Sequence, residues 1–302
     1  MEFNPYLAFG WSMFAGFIMA MGAGGGGILA GIGHISVLGI GDPNMIKVVN
    51  QILEFASRVF SVPMYHRQRR LIWPLAISFG IGAPLGAIAG AWFSKQYLSD
   101  MESYKTVFGA LVALVAARVL YEGWASGAKK NARLQKANAA SDRLRKAYDK
   151  ERGSVGASQA EALGPRSVHI SWRRVTIDCS GEPFSFNPTA AAAGGFAISF
   201  VGSSIGVGGG FLVAPFMASI LLFPMFLVVG TALVALMVPL FVSVVTYILL
   251  QVQVDWWLVG IEVPGIILGS LLGPVVNRRM NEKALKTFVA IILVGIGIYY
   301  VF

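Results

Sequence analysis

Two stretches, Gly22-Ala23-Gly24-Gly25-Gly26-Gly27-Ile28-Leu29 and Gly206-Val207-Gly208-Gly209-Gly210-Phe211-Leu212, decide how the rest of this chain is read. Each splits an apolar region, Tyr6 to Ile40 in the first case and Ala190 to Phe223 in the second, that is too short to cross a bilayer twice. Short hydrophobic segments interrupted by glycine at corresponding places in two halves point to a transporter binding site. Glycine lets the backbone turn at membrane depth and lets a ligand approach N–H groups closely. A helix starting after the turn presents its positive end there, which suits an anion. Close helix packing through small residues is the competing explanation, and the matched second copy favours the binding one. Neither cluster is followed by the Gly-Lys-Ser/Thr of a phosphate loop.

Outward from the clusters, the chain reads as two copies of one unit. Leu85-Gly86 with Gly90 aligns with Leu268-Gly269 with Gly273, Trp73 falls opposite Trp256, and Lys105-Thr106 falls opposite Lys286-Thr287. Spans are expected at Met45–Pro63, Leu71–Phe93 and Thr106–Tyr121, then at Phe226–Leu250, Trp256–Val276 and Ala284–Phe302. The organisation is therefore a first transmembrane repeat over 1–124, a basic insertion over 125–187 and a second transmembrane repeat over 188–302. In the insertion, Lys129–Arg152 reads as an exposed helix. The alternation of Val168, Ile170 and Trp172 with that of Val175, Ile177 and Cys179 reads as a β-hairpin.

Composition agrees with a membrane protein. Hydrophobic residues make up 56% of the 302, charged residues only 13%, and the mean hydropathy is +0.67; soluble domains carry about 25% charge. The net charge of +9 is read by location, as loop charge on the cytoplasmic side, not as a nucleic-acid footprint. One cysteine excludes an internal disulfide or a Cys-based metal cluster, and His34, His66 and His169 are too scattered to suggest a metal site. No metal or cofactor is expected. Met1-Glu2-Phe3-Asn4-Pro5 lacks a basic n-region, so the first apolar segment is expected to stay in the mature protein.

Orientation follows from the basic residues. His66-Arg67-Gln68-Arg69-Arg70, the insertion and Arg278–Lys283 all fall inside only if each glycine-broken region is a re-entrant hairpin followed by three spans. The fold class expected is thus an all-α polytopic membrane protein of two inverted repeats, with both termini outside.

The candidate site residues are Gly24, Gly25, Gly26, Gly27, Gly208, Gly209 and Gly210 from the clusters, with Ser203 and Ser204 as hydroxyl donors. The span from Met45 adds a polar stripe, in which Lys47, Asn50, Glu54, Ser57, Arg58 and Ser61 recur at helical spacing. Intramembrane ionisable groups cost at least ~2.5–3.5 kcal/mol each, so they face protein or a water-filled cavity. Glu54 and Arg58 can pair at i,i+4, as a structural lock or as part of the site. Val228, Thr231, Ala235 and Pro239 stand opposite Lys47, Asn50, Glu54 and Arg58 in the second copy, which therefore lacks the stripe. Lys47, Glu54 and Glu262, the last deep in its span before Pro264, are pathway or proton-coupling candidates.

The paired Gly-Gly-Gly-x-Leu clusters and Leu-Gly-x3-Gly spans resemble the TauE/SafE family, the sulfite exporter or toluene sulfonate uptake permease family. The resemblance covers roughly residues 10–124 and 188–302. It implies a carrier of sulfite, sulfoacetate or another organosulfonate in a bacterial inner membrane. Two departures stand out. The family's small polar pair after the glycine region is matched by Thr231 in one half but replaced by Asn50-Gln51 in the other, and the insertion is longer than the shortest family linkers.

The function expected is secondary transport or facilitated export of a small anion. Arg58 and Lys47 would supply positive field, and Asn50, Ser203, Ser204 and Thr231 hydrogen bonds. The rivals are a receptor or scaffold acting through the insertion and a carrier of a non-sulfur anion. No His-x-x-x-His pair, Gly-x-Ser-x-Gly elbow or intramembrane Asp pair supports an enzyme. Expected partners are the anion and the bilayer, with a homodimer compatible and nucleic acid not.

Overall fold

The computed structural model describes residues 3–21, 25–124, 132–151, 165–179 and 181–279. Gly24 and the expected last span, 284–302, lie outside the described residues. In the first half come α1 (Pro5–Ala20), α2 (Gly26–Ile32) ending in a π-helical turn (Gly33–Val37), α3 (Pro43–Arg67), α4 (Trp73–Tyr97) and α5 (Met101–Trp124). The second half contributes α7 (Pro188–Ile205), α8 (Gly210–Pro215) with a π-helical turn (Phe216–Ile220), α9 (Met225–Ala235), α10 (Met237–Leu249) and α11 (Trp256–Arg279). Among the described residues, four helices are long and apolar enough to cross a membrane: Trp73–Tyr97, Pro188–Ile205, Met225–Leu249 and Trp256–Asn277. The 25 residues of α3 reach about 37 Å, long enough to cross, but the helix carries the polar stripe.

Matched sequence positions make matched local structure. Asn4 and Asn187 each cap a helix that begins with proline, Asn4 accepting from Tyr6 N at 3.0 Å and Asn187 from Thr189 N at 2.9 Å. The two π-turns close with Leu38 N donating to Gly33 O at 2.8 Å and Leu221 N to Phe216 O at 3.0 Å. Tyr65 donates its hydroxyl to Ala20 O, and Tyr247 donates to Ser203 O, both at 2.8 Å. This last pair corrects the register read from sequence by one residue: with Tyr65 matched to Tyr247, the counterparts of Lys47, Asn50, Glu54 and Arg58 are Val229, Ala232, Leu236 and Leu240. The span expected as one helix over 226–250 is interrupted at Leu236, where α9 gives way to α10.

The halves embrace by exchanging partners. The most extensive packing is α4 on α7 and α1 on α11, each between helices of different halves. Glycine makes this possible. A methyl group on Gly82 or Gly86 of α4 would collide with the carbonyl of Ala192 or Phe196 in α7. In the matched interface, methyls on Gly265 and Gly269 of α11 would collide with Ser12 and Met13 of α1. Backbone-to-backbone contact of this kind is how membrane helices gain packing energy without a hydrophobic driving force.

The insertion adds structure that an all-α reading omits. It contains α6 (Ala132–Glu151) and a three-stranded antiparallel sheet of β1 (Arg166–Ile170), β2 (Val175–Cys179) and β3 (Glu182–Phe186), in that spatial order. The alternating residues read as a hairpin fall on and beside β1 and β2. α6 is not solvated all round, because Ala137, Ala140 and Leu144 are buried. They share one apolar cluster with Val175, Ile177, Phe184, Phe186 and Phe223 that continues into α4 and α9. Ser141 accepts from Phe226 N at 3.1 Å, satisfying a donor in the first turn of α9. Lys136 and Arg143 both reach Glu182, tying helix to sheet.

Candidate functional site

The two glycine turns meet in the interior, and the polar stripe of α3 runs between them. Asp42 caps α3 by accepting from Asn44 N at 2.9 Å, and Pro43 sets its first turn. From there Lys47, Asn50, Glu54, Ser57, Arg58 and Ser61 are all buried. Arg58 folds back along its own helix, donating Nη2 to Glu54 Oε2 at 2.7 Å and Nη1 to the Glu54 carbonyl at 2.8 Å. Methyl groups on Gly27 and Gly208 would collide with Glu54 Oε1 and Oε2 respectively, so a glycine from each turn flanks the same carboxylate. Gly208 and Gly209 adopt φ of +58° and +74°, a left-handed pair that L side chains resist. In the first turn glycine serves close approach instead, since Gly25 has φ of −88°.

A small cavity lies against this carboxylate–guanidinium pair, lined by Gly26, Gly27, Glu54, Arg58, Val207, Gly210 and apolar residues of α1 and α9. It leaves ≈ 20 Å³ for a water-sized sphere, room for about one water. A sulfur oxyanion needs more, so its entry requires these elements to part. A second space of ≈ 10 Å³ is lined in part by Gln51, Ser199, Ser203, Gly208 and Ser243. Leu236, the counterpart of Glu54, faces the first cavity, and Leu240, the counterpart of Arg58, faces the second. The first cavity is thus polar on one half's face and apolar on the other's.

The sequence-derived candidates separate into groups. Gly27, Gly208, Gly210, Glu54 and Arg58 come together. Gly26 lines the cavity, while its missing side chain also makes room for Met19, and Gly209 backs onto Ile198. Gly25 caps α2. Ser203 lies on the second space, donating to Ala87 O at 2.8 Å and bonding Ser243. Asn50 packs beside Gly31 and the Phe108 ring, with no protein hydrogen-bond partner for either amide atom. Lys47 is drawn away from the cavity, donating to Leu98 O and Asn44 Oδ1 over the ring of Tyr104. Ser204 is spent on Phe200 O and Gly90 O at the α4–α7 contact. Thr231 donates to Leu227 O and accepts from Ile72 N, so it caps α4.

Three features escaped the sequence reading. Gln51 lies between the site and Ser203 O, 3.3 Å from its Nε2. His34 Nε2 meets Glu262 Oε2 at 2.9 Å, both groups almost fully buried, joining the first π-turn to α11. The counterparts of this pair are Met217 and Phe79, so two polar-for-apolar exchanges at matched positions were the available signal. Arg70, read as loop charge, is buried instead and joins Phe226 O, Gln68 and Asn277.

Against known proteins, a family model described as "Sulfite exporter TauE/SafE" matches residues 8–300. Neither a curated protein nor a solved structure matches the chain.

Proposed function

Because the chain belongs to the sulfite exporter TauE/SafE family, a family of membrane transporters, we propose that it carries sulfite, sulfoacetate or another organosulfonate across a bacterial inner membrane. The observation that supports this most is the convergence of both glycine turns on the Glu54–Arg58 pair, whose buried guanidinium lies beside a cavity. Guanidinium is weakly hydrated and offers several fixed donors, which suits a desolvated oxyanion. Without side chains at Gly27 and Gly208, an anionic group comes directly against main chain, as the Glu54 carboxylate does. The matched but exchanged contacts of the two halves suit inverted repeats, in which one half rocks against the other. A proton-coupling role for Glu262 would run through His34, its buried partner.

The test is a thermal-shift and binding screen of purified protein against sulfite, sulfate, thiosulfate, sulfoacetate, taurine and simple carboxylates. Stabilisation by sulfur oxyanions, lost in Arg58→Gln but partly kept in Arg58→Lys, is the expected result. Stabilisation by carboxylates alone overturns the substrate class.

A further inference from the structure

The place where an incoming anion would meet Arg58 is already held by an anion belonging to the chain. Glu54 Oε2 is 2.7 Å from Arg58 Nη2, and the carboxylate sits against both Gly27 and Gly208. Both side chains are buried, Glu54 at 2% and Arg58 at 3% exposure. Each keeps one polar atom without a protein hydrogen-bond partner, Glu54 Oε1 and Arg58 Nε. A lock built only for stability would leave neither, because an unpaired buried polar atom carries its full desolvation penalty. The counterpart position in the other half holds Leu236 on the facing wall, so a carboxylate here is not shared by the two halves.

We propose that Glu54 is a tethered competitor of the transported anion, holding Arg58 when the carrier is empty and releasing it by taking up one proton when the anion binds. This rests on the carrier reading and specifies how its site loads. The argument is charge balance in a site of low dielectric. Empty, the site holds one carboxylate and one guanidinium and is neutral. Adding an anion with Glu54 still ionised would bury two like charges beside one cation, and close acidic groups of that kind share a proton instead of both ionising. With Glu54 protonated, the anion and Arg58 form the neutral pair. The groups facing Glu54 do not alter this balance: Met19 of α1, Gly27 of α2, Val207 of the second turn, Leu233 of α9 and Leu236 at the break after it do not titrate. On α3 the nearest other charge, Lys47, is bound at Leu98, and Glu262 is paired with His34.

The experiment measures binding of methanesulfonate, a single-charged organosulfonate that stays ionised throughout, to the purified full chain between about pH 6 and pH 8.5. Wild type is expected to bind more weakly as pH rises and to take up one proton per anion bound, read with an indicator dye in weak buffer. Glu54→Gln is expected to bind about tenfold or more tighter at pH 8, with a flat pH profile and no proton uptake. Should Glu54→Gln fail to fold, Glu54→Asp gives the second reading: its shorter reach to Arg58 should raise affinity by a smaller factor. Wild-type binding without proton uptake, or variants that bind no tighter than wild type, overturns the competitor and leaves the carrier standing. Absence of binding of any sulfur anion to folded wild type and folded variant overturns the carrier reading, and the competitor with it.

Discussion

At the scale of single residues, the buried His34–Glu262 contact is the sharpest asymmetry between the halves. The counterpart positions hold Met217 and Phe79, and the same exchange of bulk recurs beside them. Gly33 makes room for Trp11 in the first half, whereas Gly194 makes room for Phe216 in the second. Glu262→Leu should leave His34 unpaired and cost about 1–3 kcal/mol in detergent unfolding. Adding His34→Met should restore most of that loss, since the second half shows that an apolar pair packs in this setting. A double variant no better than the single one would mean the geometry differs more than the match implies. If the double variant carries anion at the wild-type rate, Glu262 has no part in coupling. A second residue-scale expectation concerns Cys179, fully buried under the sheet, where burial pushes its thiol up to about 12. It should resist maleimide in the folded protein and react on denaturation; rapid labelling of the native chain would contradict the docked sheet. The stripe on α3 was legible as a face because period 3.6 survives in any sequence listing of residues. What each member touches was not, because hydroxyls such as Ser204 and Thr231 are consumed by carbonyls four residues back, a choice that leaves no pattern.

Among elements, the glycine faces of α4 and α11 carry the assembly. Gly86→Ala and Gly269→Ala would press a methyl into the carbonyls of Phe196 and Met13, backbone that cannot turn aside. Both should lower the unfolding temperature sharply or abolish folded yield. Gly80→Ala and Gly260→Ala, which meet nothing within 4 Å, should be neutral or slightly stabilising. Equal effects at all four positions, followed by fluorescence-detected size exclusion, would remove packing as the reason for these glycines. Sequence spacing displayed the Leu-Gly-x3-Gly repeats plainly, and the Asn-Pro pairs at 4–5 and 187–188 were equally plain once helix caps were sought. The break at Leu236 did have a signal in Pro239, which has no N–H to donate to Ala235 O, but a proline in an otherwise apolar run reads equally as a kink within one span. The third strand was hidden because Pro183 interrupts its alternation.

For the whole molecule, the placement of basic residues predicts which side each loop faces. Gln253→Cys should react with an impermeant maleimide in intact cells, and Ser167→Cys only after permeabilisation; both positions are exposed. The native thiol at 179 is buried and should add little background. Labelling of position 167 from outside would sink the inverted arrangement. The charge pattern was misleading at Arg70, which is a buried staple between α3 and α4 and not a loop charge. The exchanged pairing of helices has a further consequence for how the protein is made. α1 finds its main partner only in α11, which leaves the ribosome more than two hundred residues later. At about 5–20 residues per second, that is a wait on the order of tens of seconds. During it the face of α1 that α11 will cover has no permanent neighbour, and α4 waits in the same way, for a shorter time, for α7. Biogenesis should therefore depend on whatever membrane insertase or chaperone shelters such faces. The two halves, produced as separate polypeptides, should be degraded singly and accumulate only when synthesised together.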